Sequence, residues 1–236
     1  MQPNTLQRLD KLKLMRIGAV FLSCYLVCAV LGVPDLVLRN GLIYDGTGKP
    51  PFRGSIVIEK GKITAITDRP VRGNMDISMN GFVIAPGFID VHTHAENITH
   101  HPKAENFLRM GVTTLVLGNC GSSKLKLGEF FTRLQQVGFS PNVASLIGHG
   151  TIRKQVMGGS FRRPPSAGEL VSMQRLVDLA MREGALGIST GLIYLPGAFA
   201  KTDELVALSK TVSSHGGLYV SHMRSEGTNI FNAIDE

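Results

Sequence analysis

Ala85-Pro86-Gly87-Phe88-Ile89-Asp90-Val91-His92-Thr93-His94-Ala95-Glu96, APGFIDVHTHAE, is the stretch that decides the fold. An apolar run climbs to Asp90 and then presents two histidines one residue apart. Strand side chains alternate between faces, so His92 and His94 share one face. Two imidazoles in that arrangement can hold one metal ion at two corners of its coordination sphere. A lone H-x-H is more often a pair of satisfied core or surface histidines. Its place at the end of a strand favours ligands.

Working outward towards the C-terminus, strand patterns alternate with helical ones. Strands are expected over Val83–His94, Val112–Gly118, Pro141–Gly148, Ala185–Tyr194 and Gly217–His222. Helices are expected over Lys103–Arg109, Leu127–Val137, Ala167–Glu183, Thr202–Ser214 and Asn229–Glu236. Thr202 or Asp203 is the expected cap of the fourth helix. Repeated strand–helix units mean an α/β fold with a parallel sheet, open or closed as a barrel. No G-x-G-x-x-G follows the first strand, which argues against dinucleotide binding. About five βα units are visible in residues 85–236; if closed, they make an incomplete (β/α)8 TIM-like barrel, which needs eight strands.

Residues 34–84 read instead as short strands, a small β-sandwich segment. Asn40-Gly41 and Lys60-Gly61 are the expected turns between them. Residues 1–33 read as a signal peptide or N-terminal anchor. Ile17 to Val33 is uncharged and apolar, follows Arg16, and falls short of the ~20 residues of a spanning helix. Export to the periplasm or medium is the first expectation; a cytoplasmic or membrane-anchored protein is the alternative. Any membrane contact would come through residues 17–33 if uncleaved.

The 236 residues carry a net charge of +7. Arg8, Lys11, Lys13 and Arg16 against Asp10 leave an excess of +3 before residue 17. Basic residues are not interleaved with aromatics, so a nucleic-acid partner is not expected. Cys24 and Cys28 fall within the leader, which leaves Cys120 alone in the body, without an internal disulfide partner.

Functional groups of a parallel barrel gather at the C-terminal strand ends. The second strand ends in Gly118-Asn119-Cys120-Gly121. A thiolate there can bind or bridge zinc; the bland reading is a small buried hydrophobe. His149 follows the third strand and can line the pocket, donate a hydrogen bond or be structural. Tyr194 follows the fourth and can present its hydroxyl to a polarised oxygen, or simply pack with the phenol reaching water. The fifth gives His222, a further candidate ligand. Arg224 and Glu226 beyond it can anchor substrate, pair with each other, or be solvated.

Pro86 to His94 resembles the signature of the metal-dependent amidohydrolase superfamily. Ala104 to Thr114 running into Gly118-Asn119-Cys120-Gly121, Gly191 to Gly197, and Ser221-His222-Met223-Arg224-Ser225-Glu226 resemble, more narrowly, the D-aminoacylase (N-acyl-D-amino-acid deacylase) family. The resemblance covers roughly residues 35–236 and implies a zinc-dependent hydrolase of linear amides, acting on a small N-acyl amino acid. It implies that Cys120 takes the metal-bridging part that a carboxylated fourth-strand lysine plays elsewhere in the superfamily. His222 would share the tight zinc with Cys120, His92 and His94 would hold a second, weaker position, and Tyr194 would steady the substrate oxygen.

The family's sixth-strand histidine, eighth-strand aspartate and carboxylate-fixing groups are not present. The expectation is therefore the N-terminal portion of a longer enzyme, inactive by itself. The alternatives are a truncated, inactive product or another amidohydrolase, such as a dihydroorotase or isoaspartyl-dipeptidase relative.

Overall fold

The computed structural model describes residues 33–236, so the leader expected at 1–33 lies, but for Val33, outside the described residues. The chain divides into two compact units, one ending at Pro86 and one spanning Gly87–Glu236. No helix among the described residues is long and apolar enough to cross a membrane.

The first unit holds β1 (Leu36–Ile43), β2 (Phe52–Glu59), β3 (Lys62–Thr67), β4 (Met75–Ser78) and β5 (Val83–Ile84). They form one mixed sheet in the order β3-β2-β1-β4, with β5 also on β1. β1–β2 and β2–β3 are antiparallel, whereas β4 and β5 run parallel to β1. Val37, Ile43, Ile56 and Val57 form its buried core. Lys60-Gly61 closes the β2–β3 hairpin as expected. Both residues have positive φ, 50° and 72°, the requirement of a tight two-residue turn.

Asn40-Gly41 behaves differently. β1 runs straight through it, and the register slips between Leu38 and Gly41. Asn40, at φ 62°, is an unpaired extra residue. The two residues that read as a turn make a β-bulge, which uses the same left-handed backbone without reversing the chain.

The expected Val83–His94 strand is two strands. β5 belongs to the first unit, and β6 (Phe88–Asp90) opens the second. Pro86 has no N–H to give a ladder, and it forces Ala85 to stay extended without pairing. Ala85-Pro86-Gly87 is therefore a passage between units inside one apolar run.

The second unit continues with α1 (Glu105–Arg109), β7 (Val112–Leu117), α2 (Leu127–Val137), β8 (Asn142–Ser145), β9 (Ile147–Gly148) and α3 (His149–Met157). It ends with α4 (Ala167–Arg182), β10 (Gly187–Gly191), α5 (Thr202–Ser214), β11 (Leu218–His222) and α6 (Ile230–Asp235). Two three-stranded sheets result, β6-β7-β8 and β9-β10-β11, with every pairing parallel. β8 and β9 are two lengths of one extended run broken at Leu146. Leu146 donates to the Leu117 carbonyl on one side, and the Ser145 carbonyl accepts from Leu186 on the other. Each parallel strand therefore lies beside the next in chain order. This is a mixed α/β architecture.

The core lies between strands and helices. Leu127, Ile147, Ile152, Met173, Val177, Ile188 and Leu208 form one cluster. Ile98, Leu115, Leu117, Phe130 and Leu134 form a second. On α4 the buried Met173, Val177 and Ala180 fall at helical spacing. Its start is fixed by a capping box. The Ser166 hydroxyl accepts from the Glu169 N–H, and the Glu169 carboxylate accepts from the Ser166 N–H.

The expected cap of α5 is absent. Lys201 holds the cap position, and no side chain caps the helix there. The α3 helix was unforeseen from the sequence. Its residues follow β9 directly, and they contain Gly150 and β-branched Thr151 and Ile152, a weak helical pattern.

Candidate metal centre

Thr93 fixes the position of the two histidines. It is buried, and both its N–H and its hydroxyl donate to the Val116 carbonyl, at 3.1 and 2.9 Å. That pins the segment after β6 to β7. His92 and His94 then flank Thr93 on the exposed side, with ring centres 5.3 Å apart. The His92 N–H donates to Asp90.

The end of β7 is a tight turn. Gly118, Cys120 and Gly121 all take positive φ, 76°, 54° and 75°. A Cβ at Gly118 would strike the Leu146 carbonyl oxygen, so only glycine fits. Cys120, with a side chain, bears the cost of the left-handed region, on the order of 1–2 kcal/mol. The turn is held by neighbours on both sides. The Gly118 N–H donates to Glu96 and the Gly121 N–H to the Ser189 hydroxyl, at 3.0 and 2.9 Å. Strain kept in place by its surroundings is a mark of functional sites.

This turn aims Cys120 Sγ between two imidazoles. It lies 3.3 Å from His92 Nε2 and 3.5 Å from His222 Nδ1. His222 comes from the end of β11, three strands on from β7, with Gly191 of β10 paired beside it. Ligand atoms of His92, His94 and Cys120 all fall within 4.8 Å of one another. The Tyr194 ring meets the His222 ring edge-on at 4.7 Å, and half of Tyr194 is exposed. His222 Nε2 stands 2.9 Å from Glu226 Oε1 without hydrogen-bond alignment, and is otherwise an unpartnered buried nitrogen.

Burial pushes the Cys120 thiol above its ordinary pKa, and the nearby Glu226 charge pushes it the same way. A bound cation would reverse both effects, because a coordinating thiol is deprotonated outright. The donor set fits a borderline-soft divalent ion. Zinc binds nitrogen at ~2.0–2.1 Å and thiolate at ~2.3 Å, which across a tetrahedral angle sets the two ligand atoms roughly 3.6 Å apart. The two sulfur–nitrogen distances match that spacing.

Beside this cluster lies a cavity of about 800 Å³. His94, Cys120, Thr151, Lys154, Tyr194 and Pro196 are among its walls. His149 is not a wall. It is the first residue of α3, not the end of a strand, and it is fully buried. Its Nε2 meets Glu204 at 2.8 Å. The other Glu204 oxygen accepts from Arg153, also fully buried, whose second nitrogen donates to the carbonyls of Phe161 and Arg163 at 2.9 and 2.7 Å. Burial alone would raise the Glu204 pKa. The hydrogen bonds from His149 and Arg153 outweigh it and hold the carboxyl below the ordinary range. Of the three expected roles of His149, the geometry favours the structural one.

Arg153 and Glu204 escaped the sequence reading, but a signal existed. Each is a charged residue on an apolar helical stripe, Arg153 with Met157 four residues on and Glu204 with Leu208. Arg224 has a partner that the sequence did not indicate. It pairs with Glu236 through two 2.7 Å contacts and donates to the Ala198 and Ala200 carbonyls. Glu226 faces His222 rather than Arg224.

No family model matches the chain. Individual proteins do. It is 34% identical over 227 residues to the D-aminoacylase of Alcaligenes xylosoxydans xylosoxydans, covering 86% of this chain and 47% of that protein. The N-acyl-D-glutamate deacylase of the same organism is also 34% identical, over 226 residues, with 86% and 46% covered. The chain thus spans about half the length of the curated relatives it matches. Among solved structures, D-aminoacylase, described as defining a novel subset of amidohydrolases, superposes with a TM-score of 0.81 at 33% identity. The match covers 86% of this chain and 48% of that one. N-acyl-D-glutamate deacylase from Bordetella bronchiseptica, solved with zinc and a phosphonate mimic of the tetrahedral intermediate, gives 0.81 at 31%, with the same shares covered. A D-hydantoinase at 17% identity and a TM-score of 0.55 shares the fold alone.

Proposed function

The chain is a homologue of the D-aminoacylase family, matching the N-terminal portion of those amidohydrolases, and from this we propose that it supplies the metal-holding part of a hydrolase cleaving the linear amide of N-acyl-D-amino acids. One observation carries the reading: Cys120 Sγ stands between His92 Nε2 and His222 Nδ1, at 3.3 and 3.5 Å.

In this reading Cys120 and His222 hold a tight zinc, and His92 and His94 complete a second, weaker position with the same thiolate. Zinc, when bound, supplies Lewis acidity to the acyl carbonyl and acidifies water. The protein's own groups do the remainder. Tyr194, against the His222 ring, offers its hydroxyl to the oxygen on which negative charge develops. Glu226, beside His222 Nε2, orients that imidazole. The five parallel strands from β6 to β11 form the first βα units of a (β/α)8 barrel, and the β1–β5 sheet belongs to its β-sandwich segment. Residues 1–33 are a leader directing export.

The reading differs from a dihydroorotase-like one at two points. β10 contains no lysine to bridge metals, and Cys120 occupies that role. The zinc-loaded chain should therefore bind N-acetyl-D-methionine in preference to its L enantiomer and to dihydroorotate, measured by NMR titration. Equal binding of the enantiomers, or binding that ignores zinc, would contradict the proposal.

A further inference from the structure

The metal cluster leaves most of the cavity beside it unexplained. At about 800 Å³ it falls within the ~300–1,000 Å³ common for small-molecule sites. One of its walls is helix α3. Gly150, Thr151, Lys154 and Gln155 line the space, and spacings of three and four residues put them on a single face. The opposite face is anchored. Ile152, Arg153 and Met157 are buried, and Arg153 and His149 are both tied to Glu204 on α5. The helix cannot rotate its inner face into the cavity without breaking a buried ion network. The residues presented to the cavity are thereby fixed.

Charge singles out one of them. No aspartate or glutamate lines the cavity, and among the described residues Lys154 is the one lysine or arginine in its walls. Some basic groups of this unit are paired, Lys126 with Glu129, Arg163 with Glu169 and Arg224 with Glu236, and those without an ion pair, such as Lys124 and Lys201, do not line the cavity. Lys154 has no carboxylate within ion-pair distance among the described residues, and its side chain is exposed. An ammonium on a flexible four-carbon stem at a cavity wall is suited to meet an anionic ligand group, because it need not surrender all of its hydration.

We propose that Lys154 reads a carboxylate of the substrate, making α3 a specificity wall of the site. The inference rests on the deacylase reading above, and adds the residue that selects for charge. The carboxylate can be the α-carboxylate of the acylated amino acid or one at the end of its side chain.

The test is an NMR titration of the zinc-loaded full chain with N-acetyl-D-glutamate, N-acetyl-D-glutamine and N-ethylacetamide, repeated for Lys154→Met and Lys154→Arg. Lys154 is exposed, so neither variant threatens folding. Lys154→Met should weaken a charged ligand by about fivefold, the upper range for an exposed ion pair, and leave neutral N-ethylacetamide unchanged. Loss for glutamate alone assigns the side-chain carboxylate; equal loss for glutamate and glutamine assigns the α-carboxylate. Lys154→Arg should restore binding, and added salt should weaken wild type more than Lys154→Met. Unchanged affinities in Lys154→Met, or equal losses for all three ligands, would overturn the role of Lys154 and leave the deacylase reading standing. Failure of the wild-type chain to bind any of the three would overturn both.

Discussion

Cys120 Sγ stands 3.3 Å from His92 Nε2, across 28 positions of sequence. The two residues end neighbouring parallel strands, β6 and β7, and neither is placed by its own side chain. Thr93 pins one to Val116, and a glycine-flanked turn throws the other forward. The geometry of the candidate metal cluster is therefore a property of backbone, and backbone changes should disturb it first.

Gly118→Ala is the direct case. The added methyl would meet the Leu146 carbonyl oxygen at a φ of 76°. The left-handed conformation alone costs on the order of 1–2 kcal/mol for alanine, and the collision adds to it. Thermal melting should show the loss of stability. Zinc retention should fall as well, although no ligand has been removed. A stable variant with full zinc content would show that the turn does not position Cys120.

Glu204→Ala should be the most damaging single change in the second unit. It strands Arg153 and His149, both fully buried, without their shared partner. Removing one member of a buried ion network costs about 3–5 kcal/mol. Urea unfolding measures it directly.

The same carboxylate sets a pH dependence. Its pKa is held below the ordinary 4.5 in the folded chain, so its contribution is present above 4.5 and is lost as pH falls through the folded value. The stability gap between wild type and Glu204→Gln should be full at neutral pH and shrink in acid. A gap that widens in acid would reverse the sign of this argument.

Glu169 gives a local, spectroscopic check. Bonds from Arg163 first, then from the Ser166 backbone and hydroxyl, lower its pKa to about 2. NMR of the carboxyl carbon should follow a titration near that value, and Arg163→Met should move it back towards 4.5. Ser166→Ala, which removes the cap of α4, should cost about 1 kcal/mol.

The sequence showed α2 and α5 to the residue, because each is a clear apolar stripe; α2 also ends at Gly138, whose φ of 67° suits a helix terminus. It misread Asn40-Gly41, because turns and bulges call for the same left-handed residues. It ran β5 and β6 together, because apolarity continues across Ala85-Pro86-Gly87 while pairing does not. The candidate metal residues could be named from strand ends alone. Their convergence could not, since it depends on which strands lie side by side. The ion pair of Arg224 could not be read either, since its partner Glu236 lies on the far side of α6 in sequence. Arg153 and Glu204 were hidden because each gains meaning only from the other.

The most direct measurement of the central claim is X-ray absorption at the zinc edge, on the wild-type chain and on Cys120→Ser. The account predicts a sulfur scatterer at ~2.3 Å beside nitrogen at ~2.0–2.1 Å in the wild type. The sulfur shell, and tight zinc retention with it, should vanish in Cys120→Ser. A wild-type shell of nitrogen and oxygen alone, with zinc held equally well by Cys120→Ser, would contradict it.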